Sequence, residues 1–383
     1  MIELRKFVAP EFVFGAGARH LAGRYAKNFG GSRVLVVTDP EVMAAGWAGQ
    51  VIESLGAGGV PYTLFSQVTP NPKDSEVMAG AELYRQERCG VIVAVGGGSP
   101  MDCAKGIGIV SSNRQHILEF EGVDKVEIPG PPLICIPTTA GTSADVSQFA
   151  IITDRQRRVK IAIISKAVVP EVALIDPVTT TTMDAALTAC TGLDALVHAF
   201  EAFVSTAQSP ITDLHALEAI RLVTAHLPTA IANPADLKAR SPMMLASLHA
   251  GLAFSNASLG LVHAMAHSLG GWLDFPHGEA NALLLDHVVS FNFDAVPERY
   301  RRIGVAMGLE LEGTPPAEVK AALIGAVQRL RTAAGISHTL GQKGVRADDI
   351  PHLAAAALRD ACLATNPRQP RQRDIETIYA KAL

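Results

Sequence analysis

The chain has 383 residues, of which 48% are hydrophobic and 18% charged, and its 33 Lys and Arg against 37 Asp and Glu give a formal net charge of −4. The length predicts two domains, and the composition is that of an ordinary globular protein. The slight negative charge and the lack of a lysine or arginine run exclude nucleic acid and an anionic membrane surface as expected partners, and favour small molecules.

The N-terminus and the cysteines indicate where the protein works. MIELRKFVAP contains no apolar signal segment, and no uncharged apolar run approaches the roughly 18 residues of a membrane span. The cysteines are scattered, form no CxxC motif and mostly lie in apolar segments, so we expect reduced, buried thiols rather than disulfides or metal ligands. They are Cys89, Cys103, Cys135, Cys190 and Cys362. A cytoplasmic protein without a membrane anchor is therefore expected.

The first half of the chain alternates β-rich runs with helical stretches, as in a mostly parallel sheet. The runs are EFVFG, RVLVVTD, YTLFS, VIVAVGGGS, LICIPTT and VALIDP. Alanine-rich segments of helical period then dominate, with breaks predicted at Pro228, Pro234, Gly270-Gly271 and Gly313. We predict a Rossmann-like α/β nucleotide-binding domain over residues 1–183 and an all-α metal-binding domain over residues 184–383.

A glycine-rich turn in VIVAVGGGSPMDCAKGIG is the strongest nucleotide-binding signal. An apolar strand runs into Gly97, Gly98 and Ser99 and then into a helix, whose first amides can face a pyrophosphate that the glycines allow to approach. An ordinary strand-to-helix turn, which needs only one glycine, is the less favoured alternative. The earlier FGAGARH is predicted to be a simple turn, because His20 stands in place of the third glycine of a dinucleotide fingerprint.

Two further stretches are predicted to contact the cofactor. Asp39 ends the strand RVLVVTD, from where a carboxylate can bind both ribose hydroxyls of an adenosine and repel a 2′-phosphate, which favours NAD over NADP. In LICIPTTAGTSAD, the hydroxyls of Thr138, Thr139 and Thr142 are suited to phosphate or to the nicotinamide ribose. A capped helix start explains these threonines equally well from the residues alone.

Three histidines lie in an apolar, glycine-punctuated stretch where solvated histidines are not expected. His263 and His267 are four residues apart, so a helix turns both imidazoles onto one face. Pro276 fixes the backbone before His277, and a turn there returns His277 toward the first helix. A single histidine in an apolar helix is more often a core residue satisfied by one hydrogen bond, but a cluster favours a ligand set.

A second predicted helix, TACTGLDALVHAFEAF, places Asp194 and His198 at the same four-residue spacing, with Glu201 one turn further along that face. Together with His263 and His277, these two residues offer one carboxylate and three imidazoles without sulfur. Such a set of four ligands suits a borderline divalent metal, Fe(II) or Zn(II).

The stretches DALVHAFEAF and GLVHAMAHSLGGWLDFPHGEANALLLDH resemble the two signatures of the iron-containing (group III) alcohol dehydrogenase family, which includes lactaldehyde reductase and 1,3-propanediol dehydrogenase types. GGGSPMD is similar to the family's GGGSxxD nucleotide signature, so the resemblance covers most of the chain and adds Asp102 to the cofactor contacts. It also implies a dehydroquinate synthase-like arrangement of the two domains, and it adds Asn71, Phe149 and Lys160 to the cofactor site.

The resemblance implies a function as well. It is that of an NAD-dependent alcohol dehydrogenase, which interconverts a small primary alcohol or diol and its aldehyde by hydride transfer from a metal-bound alkoxide, as a homodimer or larger homo-oligomer. His267 is predicted to relay the released proton rather than to bind the metal, because a fifth protein ligand would close the position that catalysis needs open. An NAD- and metal-dependent lyase or a metallohydrolase that uses the same cluster is the alternative.

Two residues depart from the family pattern. Asp184 stands where relatives commonly have a proline before the helix of the metal aspartate, and we expect it to cap that helix instead. Glu279 in PHGEAN replaces a usually apolar residue two positions from His277. Its charge is expected to alter the polarity of the pocket or the substrate preference.

Overall fold

The computed structural model describes residues 5–383, which divide into two compact units. Residues 8–182 form an α/β unit, and residues 183–383 form a helical unit to which residues 5–7 also belong. The predicted fold class, an α/β half followed by an all-α half, is confirmed. The sequence-based boundary had placed residues 5–7 in the first domain.

Parallel strands form the centre of the α/β unit. The strands of the described residues are β1 (Glu11–Phe14), β2 (Val34–Val37), β3 (Tyr62–Phe65), β4 (Val91–Gly96), β5 (Gly122–Val123), β6 (Leu133–Pro137), β7 (Phe149–Asp154), β8 (Val159–Ile164) and β9 (Val172–Ile175). Six of them make a parallel sheet in the order β1-β9-β6-β4-β2-β3. These six coincide with the six runs predicted from the sequence.

Helices cover both faces of this sheet, which explains the unbroken apolar sequences of its central strands. The helices of this unit are α1 (Ala22–Asn28), α2 (Pro40–Ala44), α3 (Trp47–Ala57), α4 (Asp74–Gln86) and α5 (Gly98–Asn113). Leu35 and Ile92 join the core cluster that includes residues of α4 and α5, whereas Val34 and Val91 join the cluster that includes residues of α1 and α3. Alternate residues of β2 and β4 therefore fill two separate cores.

The strand order creates a ligand-binding position at β2 and β4. From β2 the chain passes to β3 at one edge, and β4 then lies on the other side of β2. In open α/β sheets, ligands bind at the carboxyl ends of the strands where the order reverses in this way. Asp39 follows β2 and Gly97 follows β4, so both lie at this point.

A second, three-stranded sheet was not predicted from the sequence. β7 and β8 form an antiparallel hairpin, and β5 pairs with β8 in parallel. The hairpin turn, residues 155–158, reads RQRR and lacks the glycine or asparagine that usually marks a tight turn. The apolar runs on either side were therefore not recognised as paired strands.

The helical unit consists of α6 (Ala185–Val204), α7 (Pro210–Ala232), α8 (Leu237–Ala257), α9 (Leu261–Leu273), α10 (His277–Asn292), α11 (Pro297–Ala306), α12 (Pro316–Ala333), α13 (Ile350–Ala357) and α14 (Gln372–Ala382). Two of the predicted helix breaks are wrong, because Pro228 lies inside α7 and Gly270-Gly271 lies inside α9. The other two are confirmed, since Pro234 lies between α7 and α8 and Gly313 lies between α11 and α12. α7 packs along α6 and α8, and this packing outweighs the hydrogen bond that an internal proline removes. α9 ends instead at Leu273, and the next residue, Asp274, adopts a left-handed conformation with φ of 52°.

α6 is the central helix of this unit and packs against α7, α8 and α10. It is long and apolar enough to cross a membrane, but 83% of its apolar window is buried in the fold, as in the core helix of a globular unit. Asp194 and Glu201 lie within it and are also buried. The five cysteines are free, four of them buried and Cys190 partly exposed, so the described residues confirm the prediction of unpaired thiols.

Candidate metal centre and cofactor site

Asp184 begins the helix that carries the first predicted ligands. Its side chain accepts a hydrogen bond of 2.7 Å from the backbone N–H of Leu187, so the predicted helix cap is confirmed. Along α6, Asp194, His198 and Glu201 follow at helical spacing and are each only 4% exposed. Burying three ionisable groups on one helix requires partners for each of them.

Asp194 is the point where the predicted ligands converge. Its Oδ1 lies 3.6 Å from His263 Nε2, 3.7 Å from His277 Nε2 and 3.9 Å from His198 Nε2. A tetrahedral cation with bonds of about 2.1 Å holds its ligand atoms about 3.4 Å apart. The three distances from the carboxylate oxygen to the imidazole nitrogens are therefore only slightly longer than those around a bound divalent metal.

The four predicted ligands are not equally close to one another. Donor atoms of Asp194, His263 and His277 lie within 4.8 Å of one another and form the compact group. His198 lies outside this group, but its ring stacks on that of His263 with 4.6 Å between centroids and on that of Phe254 with 4.3 Å. Stacking between two aromatic neighbours fixes the plane of the His198 ring beside the group.

Opposed electrostatic effects act on these groups. Burial by itself would raise the pKa of Asp194, but the surrounding imidazoles, led by His198 and His277, hold it far below its ordinary value. Burial would lower the pKa of His263, yet the carboxylates of Asp194 and Glu201 raise it to about 9. Asp194 and His263 thus favour each other's charged forms, and a cation bound at Nε2 would take the place of the proton that His263 carries there.

Asn281 is a polar residue of this site that the sequence analysis did not single out. Its Nδ2 donates a hydrogen bond of 2.6 Å to Asp194 Oδ1 and lies 3.2 Å from Nε2 of both His263 and His277. Its Oδ1 is buried without a hydrogen-bond partner among the described residues. A buried amide oxygen without a hydrogen bond is unusual in a protein core. The Asn281 amide lies beside the three atoms of Asp194, His263 and His277 that could bind a metal, so its position is consistent with a site built for a cation.

His267 lies beside the compact group and has its own carboxylate partner. Its Nδ1 is 2.8 Å from Asp360 Oδ2, and its ring stacks on that of His277 with 5.4 Å between centroids. Asp360 Oδ1 accepts a further hydrogen bond of 2.8 Å from the backbone N–H of Cys362. Asp360 is 93 residues from His267, so no local pattern connects the two in the sequence.

Glu279 is buried and its carboxylate faces residues of a later segment. One oxygen lies 2.8 Å from Lys343 Nζ and also contacts His338 Nε2. A paired carboxylate changes the potential around it less than a lone charge does. The effect of Glu279 on substrate preference stays a prediction.

The two predicted phosphate loops contact each other at the start of α5. Gly97 precedes this helix and offers no side-chain cap to its first N–H groups. A Cβ added to Gly98 would lie 2.7 Å from Thr142 Oγ1, and one added to Gly97 would lie 3.1 Å from Thr139 Cγ2. A side chain at Gly98 would therefore displace Thr142, and one at Gly97 would press on Thr139. The uncapped amides lie next to threonine hydroxyls, as in an anion site.

Thr138 and Ser99 complete this region. The backbone N–H of Thr138 donates a hydrogen bond of 2.9 Å to the carbonyl of Gly96, which extends the pairing of β6 with β4 up to the loops. Ser99 lies in the first turn of α5 and is partly exposed. The structure thus brings together the residues predicted for the phosphate site from two separate stretches.

The β7-β8 hairpin gathers the cofactor residues that the resemblance implied. Asn71 accepts a hydrogen bond of 3.3 Å at its carbonyl from Thr153 Oγ1, and Thr153 pairs with Lys160 in the hairpin. Phe149 is the first residue of β7. Two residues further along this strand, the N–H of Ile151 donates a hydrogen bond of 3.2 Å to the carboxylate of Asp102 on α5. These residues therefore lie around one hairpin that adjoins α5.

Buried charges lie beneath this hairpin. Burial raises the pKa of Asp102 to about 6, against the opposing attraction of Lys105 and Lys160. Lys105 is 2% exposed, and its Nζ donates to the carbonyls of Ser147 at 3.0 Å and Phe149 at 2.7 Å. The sequence analysis missed Lys105, although its place one turn after Asp102 was a signal for an internal pair.

Asp39 has a structural role in addition to the predicted one. Its Oδ1 accepts a hydrogen bond of 2.8 Å from the N–H of Val42 and caps α2, which begins at Pro40. Burial raises the pKa of this carboxyl, opposed by the backbone hydrogen bond. The contact of Asp39 with a ribose stays a prediction.

Known proteins resemble the whole chain. Residues 9–177 match the family described as iron-containing alcohol dehydrogenase, and residues 188–383 match the C-terminal domain of the Fe-containing alcohol dehydrogenase family. The 1,3-propanediol dehydrogenase of Citrobacter freundii is 41% identical, with 96% of each chain covered. The NAD-dependent methanol dehydrogenase of Bacillus methanolicus is 37% identical, with 98% of this chain and 99% of that one covered.

Among solved structures, one of a 1,3-propanediol oxidoreductase superposes with a TM-score of 0.97 at 39% identity, with all of both chains covered. These relatives are dehydrogenases, so they support the predicted class of oxidoreductase and give no support to the lyase or hydrolase alternative. Two matched domains and relatives of this identity over nearly the full length lead to one conclusion: the chain belongs to the iron-containing alcohol dehydrogenase family.

Proposed function

We propose that this protein interconverts a small primary alcohol or diol and its aldehyde, with NAD as the hydride carrier and Fe(II) as the bound cation. The observation that carries the proposal is the convergence of His198, His263 and His277 on one carboxylate oxygen, at 3.6–3.9 Å, inside apolar helices. Imidazoles and a carboxylate buried in this way are costly unless a ligand satisfies them. The alcohol, diol and methanol dehydrogenases among the relatives support the substrate class.

Asp194, His198, His263 and His277 would hold the cation. A divalent metal bound by these groups acts as a Lewis acid, which lowers the pKa of an alcohol hydroxyl and polarises the carbonyl of an aldehyde. The donor set contains nitrogen and oxygen but no sulfur, so it suits Fe(II) and also accepts Zn(II). The family description favours iron.

His267 is the residue proposed to carry the proton. The Asp360 carboxylate accepts the hydrogen of His267 Nδ1, which leaves Nε2 as the nitrogen that takes up and releases a proton. Burial by itself would raise the pKa of Asp360, but the neighbouring His267 ring holds it below its ordinary value, so the carboxylate stays ionised as the acceptor. In alcohol oxidation the proton from the hydroxyl passes to Nε2, and in aldehyde reduction it returns to the alkoxide oxygen.

The α/β unit is proposed to bind NAD through two kinds of group. Backbone amides at the start of α5, which Gly97, Gly98 and Ser99 expose, and the hydroxyls of the Thr138–Thr142 loop offer donors to the pyrophosphate. Asp39 offers acceptors to the adenosine ribose. The residues around the hairpin, namely Asn71, Asp102, Phe149 and Lys160, are proposed to contact the remainder of the cofactor.

Elemental analysis of anaerobically purified protein, followed by a screen of short alcohols, diols and aldehydes for formation or loss of NADH, tests this function. We expect about one iron per chain and NAD-linked turnover of at least one substrate. Asp194→Asn is the matched variant, since it keeps the shape of the side chain but removes the anionic ligand. Metal at full occupancy without NAD-linked turnover of any substrate would contradict the proposal.

Two further expectations stay predictions. The scattered, free thiols are the basis for predicting a cytoplasmic protein, and the family resemblance predicts a homodimer or larger homo-oligomer. Light scattering of the purified protein measures the assembly directly, and a monomeric mass at working concentration would contradict that prediction.

A further inference from the structure

Glu201 is a buried carboxylate that connects α6 to the start of α9 through three contacts. Its side chain is 5% exposed and lies two turns after Asp194 on α6. Oε2 is 2.6 Å from His263 Nδ1 and accepts a hydrogen bond of 3.0 Å from the N–H of Gly260. Oε1 accepts a hydrogen bond of 2.6 Å from the N–H of Val262.

Two of these bonds cap α9 from another helix. Gly260 precedes α9 and offers no side-chain cap, so the first N–H groups of the helix need external acceptors. Glu201 serves the N–H groups of Gly260 and Val262, and Asn366 Oδ1 accepts that of Leu261 at 3.1 Å. A carboxylate at a helix N-terminus also interacts favourably with the helix dipole.

The third bond determines how His263 presents its ring. A carboxylate only accepts hydrogen bonds, so Nδ1 of His263 must carry the hydrogen between the two residues. Nε2, which lies 3.6 Å from Asp194 Oδ1, is then the nitrogen whose lone pair is available to a cation. The negative charge on Glu201 also makes that lone pair more basic.

We propose that Glu201 is a positioning residue that keeps His263 in the tautomer with hydrogen on Nδ1, and thereby sets the affinity of the site for its metal. This inference rests on the proposed metal site. It adds that the Glu201 carboxylate has two effects: it caps the start of α9, and it determines that Nε2 of His263 is the atom that faces the metal. The two roles are linked by geometry, because the same oxygen, Oε2 of Glu201, accepts hydrogen bonds from both Gly260 and His263.

Glu201→Gln tests the proposal with little change of shape. The amide has one acceptor oxygen, so either His263 faces an N–H donor and loses this tautomer, or it keeps a weaker, uncharged acceptor while Val262 loses its own. Both outcomes lower the basicity of Nε2 toward a metal. Removal of such outer partners typically weakens metal affinity by about 10- to 100-fold.

Two control variants separate this effect from loss of the helix cap. Asn366→Ala removes the other cap of α9 without touching a histidine, and Asp286→Asn removes a buried carboxylate of α10 that pairs with Gln328 and Arg331 and is not a proposed ligand. Metal-free wild type and the three variants are titrated with Co(II) alone, and the Kd is read from its visible absorption. We expect a Kd about 10- to 100-fold higher for Glu201→Gln and unchanged values for both controls.

The possible results are distinct. Wild type that takes up no Co(II) overturns the proposed metal site, whereas wild-type affinity in a folded Glu201→Gln variant overturns only the role of Glu201. If Glu201→Gln does not fold, nitrogen NMR of Zn(II)-loaded wild type with labelled histidines decides the matter. Hydrogen on Nδ1 of His263 with metal on Nε2 supports the proposal, and the reverse arrangement contradicts it.

Discussion

Substitution of Asp39 tests the predicted choice of NAD, and the structure shows how to separate cofactor binding from folding. Asp39 Oδ1 caps α2 through the N–H of Val42, so any substitution changes the helix as well as the proposed ribose contact. Asparagine is as good a helix cap as aspartate, whereas glycine costs only a few tenths of a kcal/mol at such a position. Asp39→Asn and Asp39→Gly are therefore both expected to fold.

The expected change in cofactor use follows from the hydrogen bonds that a charged acceptor makes. Such bonds contribute roughly 1.5–3 kcal/mol, which corresponds to a loss of about 10- to 150-fold in kcat/KM for NAD. Removal of the negative charge also removes the repulsion of a 2′-phosphate, so NADP use should rise in both variants. Asp39→Asn keeps the cap, so a change shared by both variants comes from the charge and not from α2.

Steady-state kinetics with NAD and with NADP measure this effect, and thermal unfolding of the same samples verifies the fold. The decisive quantity is the ratio of kcat/KM for the two cofactors, because damage to the protein as a whole cancels from it. An unchanged ratio in Asp39→Asn would refute the reasoning, even if overall activity fell.

Three other predictions concern the metal, the proton and the buried charges. His263→Ala should empty the metal site, because one of four ligands is lost; full occupancy by elemental analysis would contradict the assignment. His267→Ala should bind metal and NAD as wild type does but lose turnover, and added imidazole should restore part of it; unchanged turnover would remove His267 from the mechanism. Burial raises the pKa of Asp145 to about 6, with Lys105 opposing, so ionisation costs the folded state up to about 3 kcal/mol as pH rises from about 4 to 7. Asp145→Asn should therefore be more stable to heat than wild type at pH 8 and lose this advantage below about pH 4, whereas an equal difference at both pH values would refute it.

The parallel sheet could be predicted from the sequence because its four central strands, β9, β6, β4 and β2, are buried on both faces. Such strands are short apolar runs, and each of the six runs proved to be a strand. The β7-β8 hairpin was missed because its turn, residues 155–158, carries charged residues in place of a turn signal. Pro228 was wrongly predicted to break a helix, since the packing of α7 is a tertiary effect that local propensity does not report.

The predicted ligands were found through helical spacing, which is a local property. Asp194 and His198 share α6, and the turn before His277 was visible as a proline. The residues that support these ligands depend on contacts between distant segments. Asp360 lies 93 residues from His267 and has no nearby pattern to reveal it. Asn281 stood in the quoted motif, but its amide could be placed among the ligands only from coordinates.

Removal and return of the metal test the central claim most directly. The protein is purified anaerobically, stripped with a chelator until elemental analysis finds no metal, and assayed for NADH formation from short primary alcohols and diols before and after addition of Fe(II). We predict that stripping abolishes NAD-linked turnover and that about one Fe(II) per chain restores it. Undiminished turnover by protein shown to be free of metal would contradict the account.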